Sequence, residues 1–181
     1  MRRILVALVA TFAILIPSAQ AEWGTQTLDA VATHFASRPV QVLCHNEVED
    51  TTMAWAWGYV EWPVGAQTNT KIHEMACAGA LAIDLDVPEF PDRQKVLGVA
   101  VIVHESFHLK HVRNAGSEKI TECRAFRKYD EAMRLLGAEP EVMARLMPLA
   151  IARHFWFVRE IPEYDLKSCQ MPERYRVWLG E

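Results

Sequence analysis

Two histidines and a glutamate in the middle of the chain have the types and spacing of a zinc site. Residues 104–108 read His-Glu-Ser-Phe-His, so His104 and His108 stand four positions apart and Glu105 follows the first. On a helix, side chains with this spacing project from one face, and two imidazoles so placed can bind one Zn²⁺. The glutamate can take a proton from the water that such a metal acidifies. The pattern predicts a catalytic zinc site with Glu105 as general base.

The segment that carries this pattern is predicted to be a central, buried helix. Residues 96–103 are apolar or small on every face, which is typical of a helix surrounded by the core. Two histidines and a carboxylate without partners would be costly in such a place, and a bound metal explains them. The alternative is that they are core residues hydrogen-bonded to their neighbours.

A third protein ligand is expected on the following helix, since a catalytic zinc uses three ligands and keeps one position open. That helix offers Glu118 and Glu122, which are four positions apart and lie on one face. If the turn centres on Ala115, an antiparallel hairpin places Glu122 opposite His108 and Glu118 nearer the turn. We therefore favour Glu122 as ligand and keep Glu118 as the alternative. The other glutamate could orient a ligand histidine.

The remaining histidines have no ligand spacing. His111 could approach the metal, but we expect it to be exposed at the helix end. We expect structural roles for His34, His45, His73 and His154. The extended pattern HExxHxxGxxH is absent, because His111 stands at its glycine and Asn114 at its last histidine.

The site resembles the zincin superfamily of metallopeptidases in its glutamate-liganded, gluzincin-like form. The likeness rests on HESFH at 104–108 and a glutamate on the next helix. The block extending through residues 117–123, with Tyr164 and Cys169, is similar to uncharacterised secreted bacterial HExxH proteins. The resemblance implies zinc, a twisted sheet packed on the active-site helix and hydrolysis of a peptide or protein substrate. It also implies an oxyanion-stabilising side chain, for which the candidates are Tyr129, His154 and Tyr164.

Hydrophobic periodicity predicts an α+β fold, with a small β-containing front half packed on the active-site helix and two further helices. The expected helices cover residues 25–36, 91–113, 118–136 and 141–159, the last with a possible break before Pro148. The expected strands cover 40–44 and 51–62, where Trp55, Trp57 and Tyr59 alternate, and 71–83 reads as a strand leading into a short helix. A turn is expected at 63–65 and irregular chain after Pro162.

The first 21 residues have the pattern of a secretory signal peptide. Residues 2–3 are arginines, residues 4–16 are uncharged and mostly apolar, and small residues at 19–21 follow a helix-breaking proline. The apolar run is shorter than the roughly 20 residues that span a bilayer, although a single membrane anchor is the alternative. Cleavage after Ala21 predicts one secreted or periplasmic domain, residues 22–181, without a membrane span.

An oxidising compartment makes the four cysteines informative. Their even number predicts two disulfides, and we favour Cys44–Cys77 and Cys123–Cys169, a pairing within each half of the chain. A zinc cluster is the competing interpretation, but no two cysteines have the close spacing of such sites.

Charge and motifs exclude other classes of protein. The net charge of -4 falls to -6 once Arg2 and Arg3 are removed, which argues against nucleic-acid binding. No GxSxG sequence or phosphate-binding glycine-rich loop occurs. The sequence thus predicts a secreted zinc hydrolase, most simply a metallopeptidase. The rival is a non-enzymatic secreted binding protein with a structural or decayed metal site, which would have no use for Glu105.

Overall fold

The structure is a computed structural model that describes residues 19–46, 48–54, 56–61, 68–85, 87, 89–111, 117–160 and 169–180. Six sequence-based expectations fall wholly or partly outside these residues: the signal peptide up to residue 18, Trp55, the turn at 63–65, the turn centred on Ala115, the irregular chain after Pro162 as far as residue 168, and Tyr164. The predicted cleavage point after Ala21 lies in the first turn of the first described helix.

The described part of the chain contains six α-helices and three short strands, and this confirms the predicted α+β class. In chain order the elements are α1 (Ala19–Ala36), β1 (Gln41–His45), β2 (Gly58–Tyr59), β3 (Asn69–His73), α2 (Glu74–Leu81), α3 (Asp92–Lys110), α4 (Glu118–Phe126), α5 (Tyr129–Leu135) and α6 (Pro140–Glu160). Two 3-10 helices, Thr51–Ala54 and Glu173–Leu179, accompany them.

The three strands form one sheet in the order β1-β3-β2. β1 and β3 run parallel, with Gln41 opposite Asn69, and β2 pairs antiparallel with the other side of β3, with Gly58 opposite Ile72. Ile72 is fully buried, so β3 contributes directly to the core.

Helix α3 lies at the centre of the fold, as its apolar sequence predicts. It contacts α1, α2, α4, α5 and α6 as well as β2 and β3, and all its residues from Gly98 to Leu109 are buried. A Cβ atom on Gly98 would lie only 2.3 Å from the carbonyl oxygen of Ala76, so glycine is what allows α2 to cross α3 so closely. The predicted zinc-binding residues therefore stand on the most enclosed helix of the described protein.

The predicted helix over 118–136 is divided into α4 and α5 at residues 127–128. The cause is a side chain from the C-terminal segment. Tyr175 donates its hydroxyl hydrogen to the carbonyl of Phe126 at 2.8 Å and accepts from the backbone N–H of Asp130 at 3.4 Å. In a continuous helix those two backbone groups would bond to each other. An inserted side chain of this kind is a known cause of helix interruption, and no local sequence signal marks it.

Two other expectations need correction. Among the described residues of the strand expected over 51–62, only β2 is a strand. Residues 51–54 form a 3-10 helix after Asp50, whose side chain accepts from the N–H of Thr52 at 3.0 Å. In contrast, α6 continues through Pro148, and neighbouring residues such as Leu146 and Met147 are fully buried. Burial of both turns against the core outweighs the hydrogen bond that proline removes.

Both expected disulfides are present. Cys44 is bonded to Cys77 and Cys123 to Cys169, with sequence separations of 33 and 46 residues, and the described residues include no free cysteine. The first joins β1 to α2. The second joins α4 to the segment that carries Tyr175.

Removal of either disulfide is expected to lower the free energy of unfolding by about 3 to 4 kcal/mol, because each closes a loop of more than thirty residues in the unfolded chain. The measurement is denaturant unfolding of the double-serine variants at Cys44/Cys77 and Cys123/Cys169, compared with the oxidised wild type. An unchanged unfolding midpoint in either variant would contradict it.

Candidate metal centre

Helix α3 presents the side chains of His104 and His108 to one point. Their Nε2 atoms lie 3.0 Å apart, and the side chains are only 9% and 6% exposed. This follows from their spacing, since residues four apart on a helix lie one above the other.

Helix α4 brings a carboxylate to the same point. Ser117 caps this helix by accepting from the backbone N–H of Ile120 at 3.4 Å, and Glu118 occupies the first helical position. Oε2 of Glu118 lies 2.9 Å from Nε2 of His104, and its Oε1 lies 3.4 Å from Nε2 of His108. The Glu118 side chain is 40% exposed, so the cluster is open to solvent on this side.

The chemistry and spacing of these three side chains fit a metal ion. Two imidazole nitrogens and a carboxylate oxygen form a donor set that zinc accepts. Ligand atoms about 2.0–2.1 Å from a tetrahedral zinc lie about 3.3 Å from each other. In this cluster one ligand atom from each residue lies within 4.8 Å of the other two, and the two Nε2 atoms lie 3.0 Å apart. His104, His108 and Glu118 are therefore the residues that could hold the metal.

Glu122, the preferred ligand in the sequence analysis, lies on the other side of His104. Its Oε2 is 3.0 Å from Nδ1 of His104, not from Nε2. Glu118 and Glu122 stand one helical turn apart on α4. The alternative ligand, Glu118, is the one that reaches the two Nε2 atoms.

Glu122 is occupied by three hydrogen-bond donors. Besides His104, the hydroxyl of Tyr129 and Nδ1 of His154 each lie 3.0 Å from its Oε1. Burial by itself would raise the pKa of Glu122, but the hydrogen bonds with His104 and His154 hold it well below its usual range. The carboxylate is thus ionised and can only accept, so each of its partners must donate.

The hydrogen bonds to the two Nδ1 atoms agree with metal binding through Nε2. His104 donates from Nδ1 to Glu122, and Nδ1 of His108 lies 3.4 Å from the hydroxyl oxygen of Thr121. A histidine that binds metal through one ring nitrogen usually donates from the other to a carboxylate or another oxygen. Thr121 was not predicted from the sequence, where its position between the two glutamates is the only signal for it.

The cluster favours a positive charge at the position where a metal would bind. Burial alone would lower the pKa of His104, but hydrogen bonds to Glu118 and Glu122 raise it to about 10. Hydrogen bonding to His104 and His108 holds the pKa of Glu118 well below normal, against the opposite effect of burial. A metal ion at Nε2 would replace the proton that these carboxylates otherwise attract.

Glu105 is buried between α3 and the sheet. The residue is 6% exposed, and β2 lies directly against it: a Cβ atom on Gly58 would be 2.9 Å from Cγ of Glu105. Burial raises the pKa of Glu105, while the nearby His104 and His108 lower it. A carboxyl group with a raised pKa beside a metal site has the properties of a general acid–base group.

The structure also shows where the other histidines and the candidate oxyanion-stabilising residues lie. Tyr129 and His154, two candidates for the oxyanion-stabilising group, are directed at Glu122. His111 follows the last residue of α3 and is half-buried, not exposed as expected, because its ring stacks on Phe107; it is not part of the metal cluster. His73 has a structural role, because its Nδ1 accepts from the N–H of Met75 at the start of α2.

Comparison of the chain with protein families, curated proteins and solved structures finds no match. Among the helices that the structure describes, none has the length and apolar character needed to cross a bilayer.

Proposed function

We propose that this protein is a zinc-dependent hydrolase, specifically a metallopeptidase, in which His104, His108 and Glu118 hold the metal. The observation that supports the proposal is the convergence of these three side chains at one partly exposed point. The Nδ1 atom of one imidazole faces a carboxylate, and that of the other faces a hydroxyl group. The donor set supports a metal, and the neighbouring Glu105 supports a catalytic role for it.

Each protein group has a distinct task in the proposed reaction. Zinc, when bound, supplies a Lewis acid and a water molecule of near-neutral pKa. Glu105 accepts the proton of the attacking water and delivers it to the leaving amine nitrogen. Its raised pKa suits both steps, because the group can hold the proton between them. Glu122 keeps His104 oriented throughout.

We further propose that the protein acts outside the cytosol as the processed chain 22–181. The two disulfides support this location, since such bonds persist in oxidising compartments. The N-terminal mass of the protein recovered from an expressing bacterium tests the cleavage after Ala21.

Metal removal tests the proposed function. We expect about one zinc per chain by elemental analysis. A chelator should abolish hydrolysis of a mixed peptide library and lower the unfolding temperature by about 10 °C, and added zinc should restore both.

Two results would contradict this proposal. A protein that contains no metal and unfolds identically with and without chelator has no such site. A protein that binds zinc stoichiometrically but cleaves nothing in the library belongs to the rival class of binding proteins.

A further inference from the structure

We propose that His154 is a positioning residue for the metal centre, acting on His104 through the carboxylate of Glu122. The inference rests on the proposed function, because it assigns to a third histidine a task at the same site. His154 stands on α6 and has no ligand spacing in the sequence, where a structural role was expected.

Two aromatic rings pack against the His154 ring. Its ring is 1% exposed and lies flat on Phe126, with ring centroids 3.6 Å apart and an angle of 1° between the planes. Phe155 contacts it edge-on at 5.6 Å. An apolar side chain would fill this space equally well, so packing does not account for an imidazole.

Glu122 is the only described hydrogen-bond partner of the His154 ring. Nδ1 lies 3.0 Å from Oε1 of Glu122, and Nε2 is buried without a hydrogen-bond partner among the described residues. Leaving a buried polar atom unsatisfied is costly, and such atoms in folded proteins call for an explanation. The hydrogen bond to Glu122 is the interaction that requires an imidazole at this position and not an apolar side chain.

Two donors hold the same carboxylate oxygen. Tyr129 from α5 and His154 from α6 both donate to Oε1 of Glu122, which leaves Oε2 directed at Nδ1 of His104. The carboxylate is thus fixed by donors from three helices and cannot rotate without losing at least one of them. A carboxylate held in this way keeps the Nδ1 proton and the ring plane of His104 in place, so that Nε2 faces Glu118 and His108.

Zinc affinity measures this role without reference to catalysis. We compare the wild type with His154→Leu and His154→Asn by competition with a chromogenic chelator. Loss of the donor in His154→Leu should weaken zinc binding by about 10- to 100-fold. In His154→Asn the side-chain NH₂ can replace the Nδ1–H donor, so the affinity should stay within about threefold of the wild type.

A matched variant separates positioning from general destabilisation. Leu146→Ala removes a fully buried side chain from the same helix, two turns before His154. It should lower the unfolding temperature while zinc affinity changes less than about threefold. If His154→Leu binds zinc like the wild type, or if all three variants lose affinity in proportion to their loss of stability, the positioning role is wrong. A wild type that binds no zinc would instead overturn the proposed function itself.

Discussion

Replacing Glu105 with glutamine is expected to lower kcat by about 10²- to 10⁴-fold while leaving zinc content unchanged. Glutamine has nearly the same shape but cannot accept a proton at neutral pH. Because Glu105 is buried and its pKa is raised, the neutral amide should also leave the fold at least as stable as in the wild type. Hydrolysis rates, elemental analysis and thermal unfolding of the same preparation measure the three quantities.

The control for this variant is Glu141→Gln, the same substitution on the exposed first turn of α6. Because Glu141 is not part of the metal cluster, this variant should keep full activity. Full activity in Glu105→Gln would mean that another group handles the proton. Loss of zinc together with activity would mean that Glu105 belongs to the ligand set.

Replacing Glu118 with glutamine is expected to lower zinc affinity by at least about 100-fold and to lower the free energy of unfolding of the metal-free protein less than the same change at Glu122 does. The reason is that Glu118 supplies the only anionic donor of the proposed set, while its side chain is 40% exposed and contributes little to the core. Chelator competition and denaturant unfolding measure the two effects.

The comparison variant is Glu122→Gln, which should lower the free energy of unfolding more, and the zinc affinity less, than Glu118→Gln does. Its amide NH₂ would face one of three donors in a buried space, so the unfolding free energy should fall by about 2 to 3 kcal/mol. Zinc binding should weaken by about 10- to 100-fold, at least as much as in His154→Leu but less than in Glu118→Gln. If Glu122→Gln instead abolishes zinc binding and keeps its stability, then Glu122 is the ligand that the sequence analysis first favoured.

The choice between these two glutamates shows where inference from sequence reached its limit. Glu118 and Glu122 share one face of α4, so a shift of α4 by one helical turn relative to α3 would exchange which of them reaches the Nε2 atoms. The position of α4 relative to α3 depends on long-range contacts that hold α4 in place. The Cys123–Cys169 disulfide and the packing of Phe126 against Tyr175 and His154 are among those contacts.

Secondary structure was predicted best where periodicity is strong and burial is uniform. The helix around 104–108 and the strand leading into α2 were correct for this reason. The division between α4 and α5 was missed, because it depends on a tyrosine more than forty residues later in the chain. The disulfide pairing within each half was correct, as each pair joins elements that pack together.

The sequence by itself determined the pair of histidines and the glutamate beside them. Their relation is local, because helix geometry places residues four apart on one face whatever surrounds the helix. Only the tertiary structure decided which carboxylate meets the histidines at Nε2, and that Glu122, Tyr129 and His154 form a hydrogen-bonded group behind them. These contacts join four helices, and their geometry follows from long-range packing that residue spacing does not encode.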